Sequence, residues 1–124
     1  MQHFDDIRTN PARGLQIYQI LLGLAHNRQT ITYGGLAQIM GFEGAGVLAA
    51  MLGHVMYWCE QNELPPLTSL VVNQGAGLPG NGLVVQADLH GERERVYCCE
   101  WFKIYPPSPD ELHKAYEKGR ADNR

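Results

Sequence analysis

Leu48, Met51, Leu52, Val55, Met56 and Cys59 recur at the spacing of one face of an α-helix, and this stripe constrains the chain more than any other feature. It commits the segment from about Gly44 onward to an amphipathic helix that must bury one side against other elements. The remaining face is of a different kind. Gly46, Ala50, Gly53, His54, Tyr57 and Gln61 make it nearly smooth, with small residues at the start and a tyrosine further along. Small side chains let a helix approach closely to whatever covers it, so this face is expected to meet a ligand or partner. Pro65-Pro66 bounds the helix, because neither residue can donate a backbone hydrogen bond.

The flanking segments read as follows. Asn10-Pro11 marks a helix start, with Asn10 as cap, and Ile17, Ile20, Leu21 and Leu24 continue at helical spacing to about His26-Asn27. Thr30-Ile31-Thr32 is extended, and Thr32 caps a brief helix from Tyr33 to Met40 that Gly41 stops. Leu67 to Asn73 reads as a strand with Leu70, Val71 and Val72 buried. A glycine-rich loop from Gly75 to Gly82 follows, and Leu83-Val84-Val85 is a candidate return strand, which together would form a hairpin or wing. From Glu92 to Tyr105 helix and strand patterns coexist. Val96, Cys99 and Phe102 or Lys103 suit the first, and Tyr97, Cys99, Trp101 and Tyr105 the second. Ser108 with Glu111 forms a capping box for a final, exposed helix to about Lys118. The expected fold class is therefore α+β and mainly helical, a single domain over residues 1–119 with a loose tail at 120–124.

At 124 residues the chain suffices for one core. No apolar run approaches the ~20 residues of a membrane span, and the amino terminus lacks the pattern of a secretory signal. The cysteines Cys59, Cys98 and Cys99 are odd in number and make a poor disulfide framework, which points to reduced thiols and a cytoplasmic setting. Net charge is −3, and no Lys or Arg occurs from Gln29 through Glu92, where Glu43, Glu60, Glu63 and Asp88 fall. The arginines closest to that stretch, Arg28, Arg93 and Arg95, are the candidate phosphate contacts, with Arg8 and Arg13 further out.

Several motifs carry no chemistry. Gly75, Gly77 and Gly80 match a dinucleotide fingerprint only formally, since no strand–loop–helix unit surrounds them. The histidines and cysteines lack metal-ligand spacing, so no metal is expected. Cys59 belongs to the apolar stripe and reads as core. Nothing near Cys98 and Cys99 in the sequence would activate a thiol. Neither a catalytic residue nor a cofactor is expected.

Three stretches in the middle of the chain resemble the DNA-binding domain of the alkylguanine alkyltransferases. Ile31-Thr32-Tyr33-Gly34-Gly35-Leu36-Ala37 is similar to the start of that family's helix-turn-helix. Ala49 through Met56 is similar to its recognition helix, and Pro66 through Leu70 with Val71-Val72-Asn73 and Gly75 to its active-site segment. Together they span residues 30–82. The resemblance implies a winged-helix-like fold with a small β hairpin and a C-terminal helix. It also implies what is missing. The family's acceptor cysteine and the His and Arg after it fall on Thr68, Ser69 and Leu70, and its arginine finger falls on Ala50. Tyr33 matches the tyrosine that helps rotate a nucleotide. A threonine hydroxyl is not a thiolate, so alkyl acceptance is not expected and the chain acts by binding rather than as an enzyme.

The expected function is nucleic-acid association, in DNA sensing or regulation, with DNA contacted through Tyr33, Gly46, Ala50, Gly53, His54, Tyr57, Asn73, Gly75 and Gly77, and Arg28, Arg93 and Arg95 on phosphates. The alternative is a protein-interaction module, inhibitor or adaptor, in which a protein partner or a second copy of the chain meets the same uncharged helix face. Arginines clustered beside the third helix would favour the first, and an apolar patch there the second.

Overall fold

The computed structural model describes residues 1–74 and 89–123. Among these, five α-helices and two very short strands follow in order: α1 (Asn10–His26), β1 (Ile31–Thr32), α2 (Tyr33–Met40), α3 (Leu48–Gln61), β2 (Val71–Val72), α4 (Leu89–Cys98) and α5 (Pro109–Asp122). Single 3-10 turns occupy Phe4–Asp6, Ala45–Val47, Leu67–Leu70 and Trp101–Lys103. The mainly helical α+β expectation holds. No single described helix is long and apolar enough to cross a membrane.

Local signals explain most boundaries. The cap of α1 is Thr9 rather than Asn10. The Thr9 hydroxyl accepts from the Ala12 N–H, and Asn10 and Pro11 open the first turn. Thr32 caps α2 by accepting from the Gly35 N–H at 3.0 Å, and Gly41 ends it at φ 82°, a left-handed conformation that costs glycine little. The apolar stripe enters α3 through the 3-10 turn, one turn later than Gly44 suggests. α3 also ends earlier than Pro65-Pro66 requires. Asn62 caps it, its side-chain amide donating to the Trp58 carbonyl, and Glu63 turns left-handed at φ 56°.

The strand expected over Leu67 to Asn73 is mostly a 3-10 turn. Only Val71 and Val72 are extended, and they pair in parallel with β1, Ile31 opposite Val71 and Thr32 opposite Val72. The pairing closes the segment holding α2 and α3 into one unit. The hairpin partner, Leu83-Val84-Val85, and the glycine-rich loop lie outside the described residues. In the ambiguous region the helix pattern prevails: α4 runs to Cys98, and the Trp101 indole N–H donates to the Val96 carbonyl at 2.8 Å, folding the 3-10 turn back onto it.

The C-terminal helix departs furthest from expectation. Its Ser108–Glu111 capping box is present and its outer face is exposed, but its inner side is buried and it does not finish near Lys118. It continues to Asp122 through the segment expected to be a loose tail, and Leu112, Ala115 and Gly119 are buried. α1, α3 and α5 pack against one another, and α3 is covered on two sides. Its apolar stripe meets Ile17, Tyr18 and Leu21 of α1 in the main core, where the Tyr18 and Trp58 rings meet edge to face at 5.5 Å. Its smooth face meets α5.

Candidate binding site

The smooth face of α3 is not open. A Cβ on Gly53 would come within 2.9 Å of Tyr116 on α5, and one on Gly119 of α5 would collide with the Tyr57 ring. Each helix thus supplies a glycine where the other supplies a tyrosine. The His54 ring stacks on Tyr116 with centroids 4.1 Å apart, and His113 lies beyond at 6.1 Å. The Gln61 side-chain amide donates to the Ala115 carbonyl at 2.8 Å, and that of Asn123 to the Tyr57 hydroxyl. Of the residues assigned to a binding face, Gly53 and His54 are buried and Tyr57 half-buried beneath α5. Their close approach is to another part of the same chain.

His54 is 1% exposed. Its Nδ1–H donates to the Ala50 carbonyl at 2.6 Å, one turn earlier, which fixes the tautomer and leaves Nε2 buried with no hydrogen-bond partner among the described residues. Burial, the dominant influence, pushes its pKa below the usual 6.5. The Ala50 bond and Glu117 oppose that shift, and His113 adds to it. The ring therefore belongs to the α3–α5 contact as a neutral aromatic.

The remaining assigned residues scatter. Tyr33 is half-buried at the start of α2, and Ala50 is half-buried on α3. Gly46 and Asn73 are exposed, Gly46 in the 3-10 turn before α3. Gly75 and Gly77 lie outside the described residues. Thr68 and Ser69, at the positions of the family's acceptor cysteine and histidine, are both buried. The nearest thiol in sequence, Cys59, is in the core, where burial pushes it up to about 12 and keeps it protonated.

The arginines do not gather beside α3. Arg28 forks onto both oxygens of Glu94, at 2.6 and 2.7 Å, with its guanidinium 4.8 Å from the Tyr97 ring centroid. Arg93 donates to the Ser69 carbonyl at 3.0 Å, and Arg95 pairs with Glu92. Arg13 is buried in α1, bonded to Gln16, Asp5 and the Met40 carbonyl. Each is engaged within the molecule.

What remains open is the corner between α2 and α3. The two helices meet at 88° across a glycine-bearing turn. That is close to the right-angle crossing of a helix-turn-helix. Ile39, near the end of α2, is 59% exposed and Val47, just before α3, is 54% exposed; Glu43, Gly44 and Gly46 lie between them in the chain and are exposed. Sequence reasoning passed over Ile39 and Val47 because they interrupt rather than continue the apolar stripes. No protein-family model, curated protein or solved structure matches the chain, so its likeness to the alkyltransferases rests on the motifs alone.

Proposed function

We propose that the chain is a non-catalytic binding module of winged-helix-like, alkyltransferase-like type whose ligand is another protein, met at the α2–α3 corner. The internal engagement of the arginines carries this reading. Lys and Arg on phosphates dominate the affinity of duplex binders. Here Arg28, Arg93 and Arg95, the candidate phosphate contacts, already hold carboxylates or backbone carbonyls of the same chain. The corner itself presents Ile39 and Val47 without a cation from Gln29 through Glu92. Uncharged apolar side chains framed by glycine suit the core of a protein interface. With three reduced thiols, a cytoplasmic setting fits this role.

The 88° helix pair supports a second reading, nucleic-acid association through the same corner. A labelled duplex, with and without an alkylated guanine, separates the two at about 50 mM salt, where non-specific phosphate contacts are strong. Absence of binding is expected. Tight binding that weakens at about 200 mM salt would overturn the protein reading in favour of DNA.

A further inference from the structure

Arg13 is the least ordinary charge in the molecule. It is 5% exposed, yet it lines a cavity of about 360 Å³ bounded by Asp5, Arg8, Gly41, Phe42 and Met51, beside the α2–α3 turn. Burying a guanidinium is costly unless its charge is paired and its N–H groups are bonded. Nη1 has its bonds, donating to Gln16 at 2.8 Å and to the Met40 carbonyl at 3.3 Å, and the Phe42 ring centroid lies 5.1 Å from the guanidinium carbon. The other edge carries the ion pair but is only half bonded. Nη2 donates to one oxygen of Asp5 at 3.1 Å, and Nε, which shares that edge, is buried without a hydrogen-bond partner among the described residues.

Nε and Nη2 form the side-on fork that a carboxylate fills with two parallel hydrogen bonds. Asp5 fills half of it. Its side chain is 82% exposed and comes from the 3-10 turn Phe4–Asp6, a short arm with no buried residue. A counter-ion on so exposed an arm is held by little besides the bond itself. Arg8, exposed at the rim, forms no ion pair among the described residues, and the amino end of α1 adds its partial positive charge. The cavity therefore carries more positive than negative charge and one unmet donor.

We propose that the Nε–Nη2 edge of Arg13, with Arg8 at its mouth, is a binding site for a carboxylate supplied by another molecule, which displaces Asp5. Such a group gains both bonds of the fork where Asp5 has one. The site stands independently of the partner proposed above. Only its natural occupant, an aspartate or glutamate side chain of that partner, rests on that reading.

The test is chemical rescue of Asp5→Ala with acetate. Removing Asp5 leaves a buried guanidinium without a counter-ion, so the variant melts below the native chain. Acetate should restore the melting temperature more than sodium chloride at equal ionic strength, and the rescue should vanish in the double variant Asp5→Ala/Arg13→Met. Acetate no better than chloride would overturn the proposal. So would rescue by inorganic phosphate but not by acetate, which would reassign the site to phosphate. If Asp5→Ala does not fold, the native chain decides through NMR of the Arg13 Nε–H. A saturable shift with acetate that weakens in Arg8→Ala supports the site, and no shift overturns it. Where both chains fold, half-saturation of the native one should need roughly tenfold more acetate, because Asp5 competes for the edge.

Discussion

The two covered faces of α3 bury it by different means. Toward α1 the contact is mainly apolar, with Leu48, Leu52 and Val55 in a continuous core and the Tyr18 and Trp58 rings edge to face. Toward α5 it is made of glycines opposed to tyrosines, a stacked histidine and amide hydrogen bonds. The first face gains its stability from apolar area and tolerates approximate shape. The second gains close approach and depends on the exact absence of two β-carbons. A hydrophobic pattern therefore reports only the first, and a smooth face is not evidence of an open one.

Substitutions can break or sharpen this contrast. Leu52→Ala should have the largest effect, about 2–5 kcal/mol in urea unfolding, since it leaves a cavity in the apolar core. Gly119→Ala should cost about 1–3 kcal/mol, unusually much for an added methyl, because the new Cβ collides with Tyr57. A double-mutant cycle with Tyr57→Ala should recover part of that cost. Strict additivity would mean that the glycine–tyrosine fit does not govern the face.

The third prediction uses pH. The folded-state pKa of His54 lies below 6.5, so the unfolded chain takes up a proton first as pH falls. His54 therefore contributes stability in full above pH 6.5, and loses it as pH falls from there toward its folded value. His54→Phe, which keeps a ring against Tyr116 but cannot titrate, should flatten the unfolding free energy across that window. An unchanged slope would assign the pH dependence to other groups. The smallest effect belongs to Gly23→Ala in α1. A Cβ there meets nothing within 4 Å, so a gain of roughly 0.5–1 kcal/mol is expected from helix propensity alone. A loss instead would show that Gly23, like Gly14, whose added Cβ would come within 3.2 Å of the His54 Cβ, is held by close packing.

Features encoded within a few residues were legible in the sequence. Thr32, Gly41 and the Ser108–Glu111 box each satisfy groups no more than four residues away, and they cap or end helices as expected. Features that depend on distant complements were not. Gly53 and Gln61 read as a face for a ligand because Tyr116, packed on Gly53, and the Ala115 carbonyl, which accepts from Gln61, lie more than fifty residues later. Leu67 to Leu70 is apolar enough for a strand, but Pro66 precedes a 3-10 turn and the only described pairing partner of Val71 is Ile31. Arg28 and Arg93 read as free cations because nothing local announces Glu94 or the Ser69 carbonyl as their partners. The exposed pair Ile39 and Val47 carried no periodic signal at all.

The position of α5 in chain order has a consequence for biosynthesis. It is the last described helix, so a nascent chain can assemble α1 through α3 before the cover for the second face has left the ribosome. Unfinished domains aggregate mainly through exposed hydrophobic surface and unpaired strand edges. The face left waiting carries glycine, histidine, tyrosine and glutamine in place of leucine and valine. Two half-made copies meeting there gain little from association, whereas the arriving α5 gains a fit that only its own sequence supplies.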